Sequence, residues 1–230
     1  MPTTSREFIT AVLTELNRVN VADQPALQYP SSTTRSSRLA QLKGKDAEQA
    51  RSTFLTLHFL FPHELLPALD LLDRKLVKRF RCSRPSSESP PTEVFYIQSA
   101  SAVTTSNNRR SANSRFRNAW RATKIHYEVR LDSWNCSCAA FAQAELKMLL
   151  ARAKMSGEQM KAAKSAQRSF SSQMLFGGTT TRHDAVVPTC KHILAAIIGT
   201  AAPKLFGDGI DSKDVSKEEL AAWAAGWGEA

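Results

Sequence analysis

Large apolar residues near the start of the chain recur every three or four positions: Phe8, Val12, Leu16 and Val19. That spacing puts them on one helical face, and Thr4 followed three residues later by Glu7 reads as a capping box. A helix is therefore expected over 5–20. Residues 28–46 include YPSSTTRSSR and few large apolar groups, which predicts a flexible linker. Helical spacing resumes over 47–61, with Phe54, Leu57 and Phe61 turned inward, and Pro62 ends it. The stretch HELLPALDLLDR, 63–74, predicts a second helix with Leu65, Leu69 and Leu72 on one face and Asp70 and Asp73 elsewhere. Pro67 is tolerated in its first turn.

The period then shortens to two. Residues 75–82 and 93–101 read as strands joined by the turn-rich SRPSSESPP, and residues 104–119 as a polar, basic loop. KIHYEVRL, 124–131, alternates Ile125, Tyr127, Val129 and Leu131 on one side, so it is a third strand. Helices follow at about 139–153 and 190–202, the second striped by Ile193, Leu194, Ile197 and Ile198. Ser216 and Glu219 cap a last helix bearing Leu220, Trp223 and Trp227. The expected fold is α+β: a helical N-terminal part, a small antiparallel sheet, then C-terminal helices. Its expected organisation is an N-terminal helix and linker over 1–46, helices and a strand pair over 47–123, a third unit over 124–203, and an acidic tail over 204–230. No internal repeat is visible.

Composition narrows the class. Hydrophobic content of 42% in 230 residues is that of a globular chain with a sizeable core. No apolar run of about 18 residues is present, so no membrane span is expected. The first residues, carrying Glu7 and Glu15, do not read as a secretory signal. Four cysteines without such a signal argue against a disulfide framework and for metal ligation by a close pair. The net charge of +10 is unevenly placed. Arg74, Lys75, Lys78, Arg79, Arg81 and Arg84 form one acid-free run. Arg109, Arg110, Arg115, Arg117, Arg121, Lys124 and Arg130 form a second, interrupted only by Glu128. From Asp208 to Glu229 six acids face only Lys213 and Lys217. Such a body suits phosphate backbones or acidic partners, though a solvated face explains basic runs equally well.

The chemistry concentrates in Cys136-Ser137-Cys138 and Cys190-Lys191-His192. A structural zinc ion takes four thiolate or imidazole ligands in a tetrahedron. In extended chain, residues i and i+2 project to the same side, so a CxC at the end of the strand through Tyr127 and Val129 aims two sulfurs at one point. Inside a helix two residues turn about 200°, so Cys190 and His192 converge only if Cys190 precedes the helix and His192 lies in its first turn. Pro188 and Thr189 supply a stop and an N-cap there. The competing reading is of small buried residues and a surface histidine, since free cysteine is among the most buried residue types. Cys82, ending a strand, reads as a core thiol. His183, in a Gly/Thr loop, is a substitute ligand less well placed than His192.

These residues resemble the SWIM zinc finger, whose CxC followed by CxHxxA is matched by Cys136, Cys138, Cys190, His192 and Ala195. The stretch 54–74, FLTLHFLFPHELLPALDLLDR, is similar to the helical segment ahead of the finger in the SWIM-domain subunit of the Shu complex. There an ALDL-x-DR string corresponds to Ala68, Leu69, Asp70, Leu71, Leu72, Asp73 and Arg74. CxCxAF is matched through Ala140 and Phe141, and CKHxLA by the residues from Cys190 to Ala195. The resemblance covers about 54–200. One departure is the 51 residues between Cys138 and Cys190, longer than such fingers usually have, read as an insertion at 152–187. Loop-closure cost grows only logarithmically, so this need not disable the site. The insertion is expected to be mobile at least over 176–184, where GGTTTRHD offers little to bury.

What the resemblance implies is one structural zinc ion and a nuclear, non-enzymatic role in homologous recombination and DNA repair. The partner would be a RecA-fold recombinase paralogue, with filament assembly on single-stranded DNA the outcome. An alternative is a free-standing SWIM-type DNA-binding module of transposase or transcription-factor kind, using the basic runs. An enzyme is not expected: a full Cys3His set leaves no open coordination position, and the sequence has no P-loop, no G-x-S-x-G and no deaminase pattern.

Overall fold

The computed structural model describes residues 4–19, 38–83, 91–100, 125–154, 176–179 and 187–227. Helix α1 is Ser5–Arg18, with the Thr4 side chain accepting a hydrogen bond from the Glu7 amide as the capping box requires. Its inward stripe differs from the expected one. Leu13, Leu16 and Val19 are buried and Ile9 and Val12 pack against the core, while Phe8 is 42% exposed. Phe8 lies one residue off that face, whose position in the first turn is taken by Arg6.

A 3-10 turn, Arg38–Gln41, and helix α2, Gly44–Leu60, occupy part of the stretch expected to be linker; the remainder of that expectation falls outside the described residues. Helix α3 is Leu65–Asp73 and buries Leu65, Ala68, Leu71 and Leu72. Leu69 is only partly buried, so the expected face of Leu65, Leu69 and Leu72 is rotated toward Leu71.

The strands are β1 (Val77–Cys82), β2 (Thr92–Gln98), β3 (His126–Arg130), β4 (Asn135–Cys136) and β5 (Ile210–Asp214). They form one sheet in the order β4-β3-β2-β1-β5. The pairs among β1 to β4 are antiparallel, but β5 runs parallel to β1, so the sheet is mixed rather than antiparallel. The remaining helices are α4 (Ala139–Lys154), α5 (Lys191–Ala201), the short α6 (Pro203–Phe206) and α7 (Lys217–Ala224). The expected loop at 104–119 and the turn at 84–90 fall outside the described residues.

Period-two alternation gives the sheet two working faces. Val77, Phe95, Ile97 and Val129 join the main core, with Tyr127 packed against it. Phe80, Cys82, Val94 and Tyr96 point the other way into a small cluster closed by Val215, Leu220 and Trp223. Cys82 is thus the core thiol its sequence position suggested. At the centre of the main core lies α5, buried at every position from His192 to Gly199. An apolar run with no polar side is what a helix covered on all sides requires. Gly199 lets α5 approach its neighbours: a Cβ there would sit 2.5 Å from the Ile210 Cδ1 atom and 3.0 Å from a Leu72 methyl. Ser216 accepts from the Glu219 amide and caps α7 as expected, while Trp227 lies beyond that helix, 75% exposed.

Candidate metal centre

The site begins with a sharp reversal. After β3 the chain turns through Leu131 to Trp134, and β4 returns antiparallel with Cys136 opposite Val129. The cysteine pair therefore lies across a hairpin from Val129, not at the end of its strand as expected; extended chain around Cys136 still directs the two sulfurs alike. Ser137 holds the hairpin in register: its amide donates to the Glu128 carbonyl at 3.0 Å, and its hydroxyl accepts from the Glu128 amide at 2.9 Å. Cys138 then opens α4, where its sulfur accepts from the Phe141 amide at 3.4 Å.

The second pair arrives from the other side. Cys190 is the N-cap of α5 in extended conformation, φ −133° and ψ 167°, and His192 lies in the first turn. This is the arrangement that lets residues two apart converge. Cys190 rather than Thr189 is the cap; the Thr189 hydroxyl donates to the Val187 carbonyl at 3.1 Å.

All four ligand atoms lie within 4.8 Å of one another, and each of the four residues is buried. The Cys136 and Cys190 sulfurs stand 3.8 and 4.0 Å from His192 Nδ1. A tetrahedral ion with metal–sulfur bonds of about 2.3 Å and metal–nitrogen bonds of about 2.0 Å needs edges of roughly 3.5–3.8 Å. The donors are thus near coordination distance of a common centre and can hold one metal ion. His192 Nε2 is buried with no hydrogen-bond partner among the described residues, so the ring commits its Nδ1 edge to the sulfurs. Tyr127 lies against the imidazole, ring centroids 4.4 Å apart.

The thiols share their protons. Hydrogen bonds from Cys136 and Cys190 pull the Cys138 thiol far below its ordinary range. The hydrogen bond to Cys138 holds Cys136 protonated, with burial acting the same way. At Cys190 the contact with Cys136 favours the thiolate, but hydrogen bonding to Cys138 and burial outweigh it and push the thiol up to about 11. The thiolate is the form that ligates a metal, so a bound ion would displace the remaining thiol protons.

Ala195, three residues past His192, is fully buried in the packed face of α5. Of the other matched residues, Phe141 is buried and Ala140 is exposed. Within ALDLLDR, Ala68, Leu71 and Leu72 are core residues, and Arg74 pairs with Asp70 at 3.3 Å one helical turn away. His183 and the basic residues from Arg109 to Lys124 fall outside the described residues. The first basic run does not form one stripe. Arg79 pairs with Glu93, Arg81 with Asp214, and Lys78 lies 4.8 Å from the Trp223 ring centre on the opposite face.

The site's supports lie outside the residues that the sequence singles out. Trp134 and Phe176 are both 2% exposed and meet edge to face with centroids 4.6 Å apart. The expectation that 176–184 is mobile fails at its start. Phe176 packs into the main core, and Thr179 donates its amide to the Asp132 carbonyl at 2.7 Å. Residues 180–184 fall outside the described residues. No repeat or periodicity marks Phe176; its only signal is a lone large aromatic just before Gly177-Gly178.

The fold and site together define an α+β protein with a buried Cys3His cluster able to hold a metal ion. No protein-family model matches the chain, and comparison with curated proteins gives no match.

Proposed function

We propose that this chain is a zinc-binding adaptor subunit of Shu type, which docks a RecA-fold recombinase paralogue and so promotes recombinase filament assembly in homologous recombination. The observation that carries the reading is the buried Cys3His cluster in the order CxC…CxHxxA, with Ala195 in the packed core. Three soft sulfurs and one imidazole in a closed, buried array fit structural zinc, and leave no open position for a catalytic water. A docking role is supported by α2 and α3. The 54–74 stretch sends Leu57, Phe61, Leu65, Leu71 and Leu72 inward, yet leaves Leu55, Phe59 and Leu66 at 64%, 86% and 63% exposed. Large exposed apolar side chains beyond the needs of a core suit a protein interface.

The test is a pull-down with recombinase paralogues using two variants: Cys136→Ser, and the triple replacement of Arg109, Arg110 and Arg115 by Ala. Metal loss should abolish pairing in the first, because a finger stripped of its ion loses its folded surface. The triple variant should keep the partner and lose DNA affinity, since phosphates reward charge without close packing. Strong, salt-sensitive DNA binding by the isolated chain, with no paralogue captured by the unmodified protein, would instead make it a free-standing DNA-binding module.

A further inference from the structure

Trp134 has a backbone conformation that does not suit it. Its φ of +51° lies in the left-handed region, where a bulky side chain is strained and glycine is at ease. The turn nevertheless carries an indole, so the side chain supplies something a glycine would not. Its Nε1–H donates to the Pro188 carbonyl at 2.8 Å in a buried hydrogen bond. Trp134 stands two residues before Cys136, and Pro188 two residues before Cys190. This one bond therefore joins the two approaches to the ligand cluster, each at the same short distance from its first sulfur.

The indole is held in turn. Phe176 packs against its ring, and Phe61 lies on Phe176 with centroids 5.6 Å apart. The Phe176 amide donates to Thr10 Oγ1 at 3.1 Å, and its carbonyl accepts from Arg6 Nε at 2.9 Å. Arg6 Nη2 donates to the Gly178 carbonyl at 2.7 Å. This explains the buried arginine on α1: its guanidinium replaces water for two carbonyls that the fold has enclosed.

We infer that Trp134 is a positioning residue of the metal centre, setting the separation of the CxC and CxH pairs through Pro188, with Phe176 and Arg6 fixing the indole. The inference rests on the reading of the cluster as a zinc site. The two ligand pairs come from elements more than fifty residues apart in sequence, and beside the packing of the core the indole–carbonyl bond is a directional tie between their approaches. A prior tie of this kind lowers the ordering cost of binding, as supporting residues do for other metal ligands.

The full-length protein is titrated with Zn2+ against a chromophoric chelator, and its Co2+ form is followed by visible absorption. Trp134→Phe keeps a ring and removes the donor. It should still take one equivalent, bind zinc about tenfold to a hundredfold more weakly, and shift the Co2+ ligand-field bands. Val94→Ala, a cut in the small cluster on the other face of the sheet, should lower the melting temperature and leave affinity and spectrum unchanged. Phe176→Leu should weaken zinc binding in the same direction, and it carries the test if Trp134→Phe does not fold. If the unmodified protein takes no metal, the zinc reading falls and this inference with it. If it binds, and the Trp134 and Phe176 variants match it in affinity and spectrum, the positioning role is overturned while the zinc reading stands. Equal weakening by Val94→Ala would likewise overturn it, because the effect would then follow global stability.

Discussion

Replacing Phe176 with Ala tests whether the turn before Gly177 belongs to the core. The side chain is 2% exposed and meets two other rings, Phe61 at 5.6 Å and Trp134 at 4.6 Å. Truncating a buried phenylalanine costs about 3–5 kcal/mol, the spread reflecting how far the site collapses. Aromatic pairs add about 0.5–1.5 kcal/mol each beyond buried area. Collapse is restricted here, because Arg6 and Thr10 hold the Phe176 backbone in place by hydrogen bonds that the substitution leaves intact. The loss should therefore fall toward the upper end of the range, about 5 kcal/mol. For a chain of this length that corresponds to a melting point lowered by roughly 10–20 °C. Urea unfolding followed by circular dichroism measures the change, and a cycle with Phe61→Ala should return a coupling of about 1 kcal/mol. A surface loop would register within about 0.5 kcal/mol. A measured loss below about 1 kcal/mol would refute the placement of Phe176 in the core.

Gly178→Ala should be costly for a different reason. Its φ is +57°, and a Cβ would stand 2.3 and 2.4 Å from the Asp132 and Leu131 carbonyl oxygens, so the turn must move; a loss of about 2 kcal/mol or more is expected, and near-neutral unfolding data would contradict it. Cys138→Ala and His192→Ala should each lower the melting temperature and reduce bound zinc from one equivalent towards none, measured by elemental analysis after gel filtration. Unchanged stoichiometry in both would rule out this ligand set.

The helices were readable wherever burial follows a period. α3 buries its apolar residues at helical spacing, whereas α5 is buried on every side and its expected stripe is only part of the run; the caps at Thr4 and Ser216 stand where side-chain chemistry requires them. The convergence of the four ligand residues was readable too, because CxC on extended chain and CxH across a helix start each aim two donors to one side, and four such donors suit one ion. What could not be read depends on partners distant in sequence. β5 has only Ile210 as an apolar residue, partly buried, and its other four residues are exposed; its identity as a strand comes from backbone pairing with β1, which leaves no alternation to detect. The hairpin before Cys136 was hidden because Leu131 to Trp134 contains no glycine, and a tryptophan takes the left-handed position. Nothing near Arg6 in the sequence marks it for burial, because the carbonyls it serves, those of Phe176 and Gly178, lie 170 and 172 positions away. The basic residues Lys78, Arg79 and Arg81 do not share one surface, since strand periodicity sends alternate residues of β1 to opposite faces.

The placement of the cluster bears on how any loss of function must be interpreted. Cys136, Cys138 and Cys190 pack in the same core as Leu16, Leu57 and Ile197, not in an appended module. A metal bound there would join the β4 hairpin to the start of α5, and α5 is the helix against which α1 and α3 pack. Removing a ligand should therefore loosen α3 and, through it, the end of α2 where Phe59 stands exposed. A ligand variant that fails to pair with a partner could have lost the interface or the scaffold beneath it. Phe59→Ser separates the two. Its side chain is 86% exposed, so the change should cost within about 0.5 kcal/mol of stability and leave zinc content intact. If α2 and α3 dock the partner, pairing should nonetheless weaken by tenfold or more, about 1.4 kcal/mol, as at a central aromatic anchor. Unchanged pairing in Phe59→Ser would move the docking surface away from this end of α2, and lost pairing in Cys136→Ser would then be read as loss of the scaffold or of an interface elsewhere.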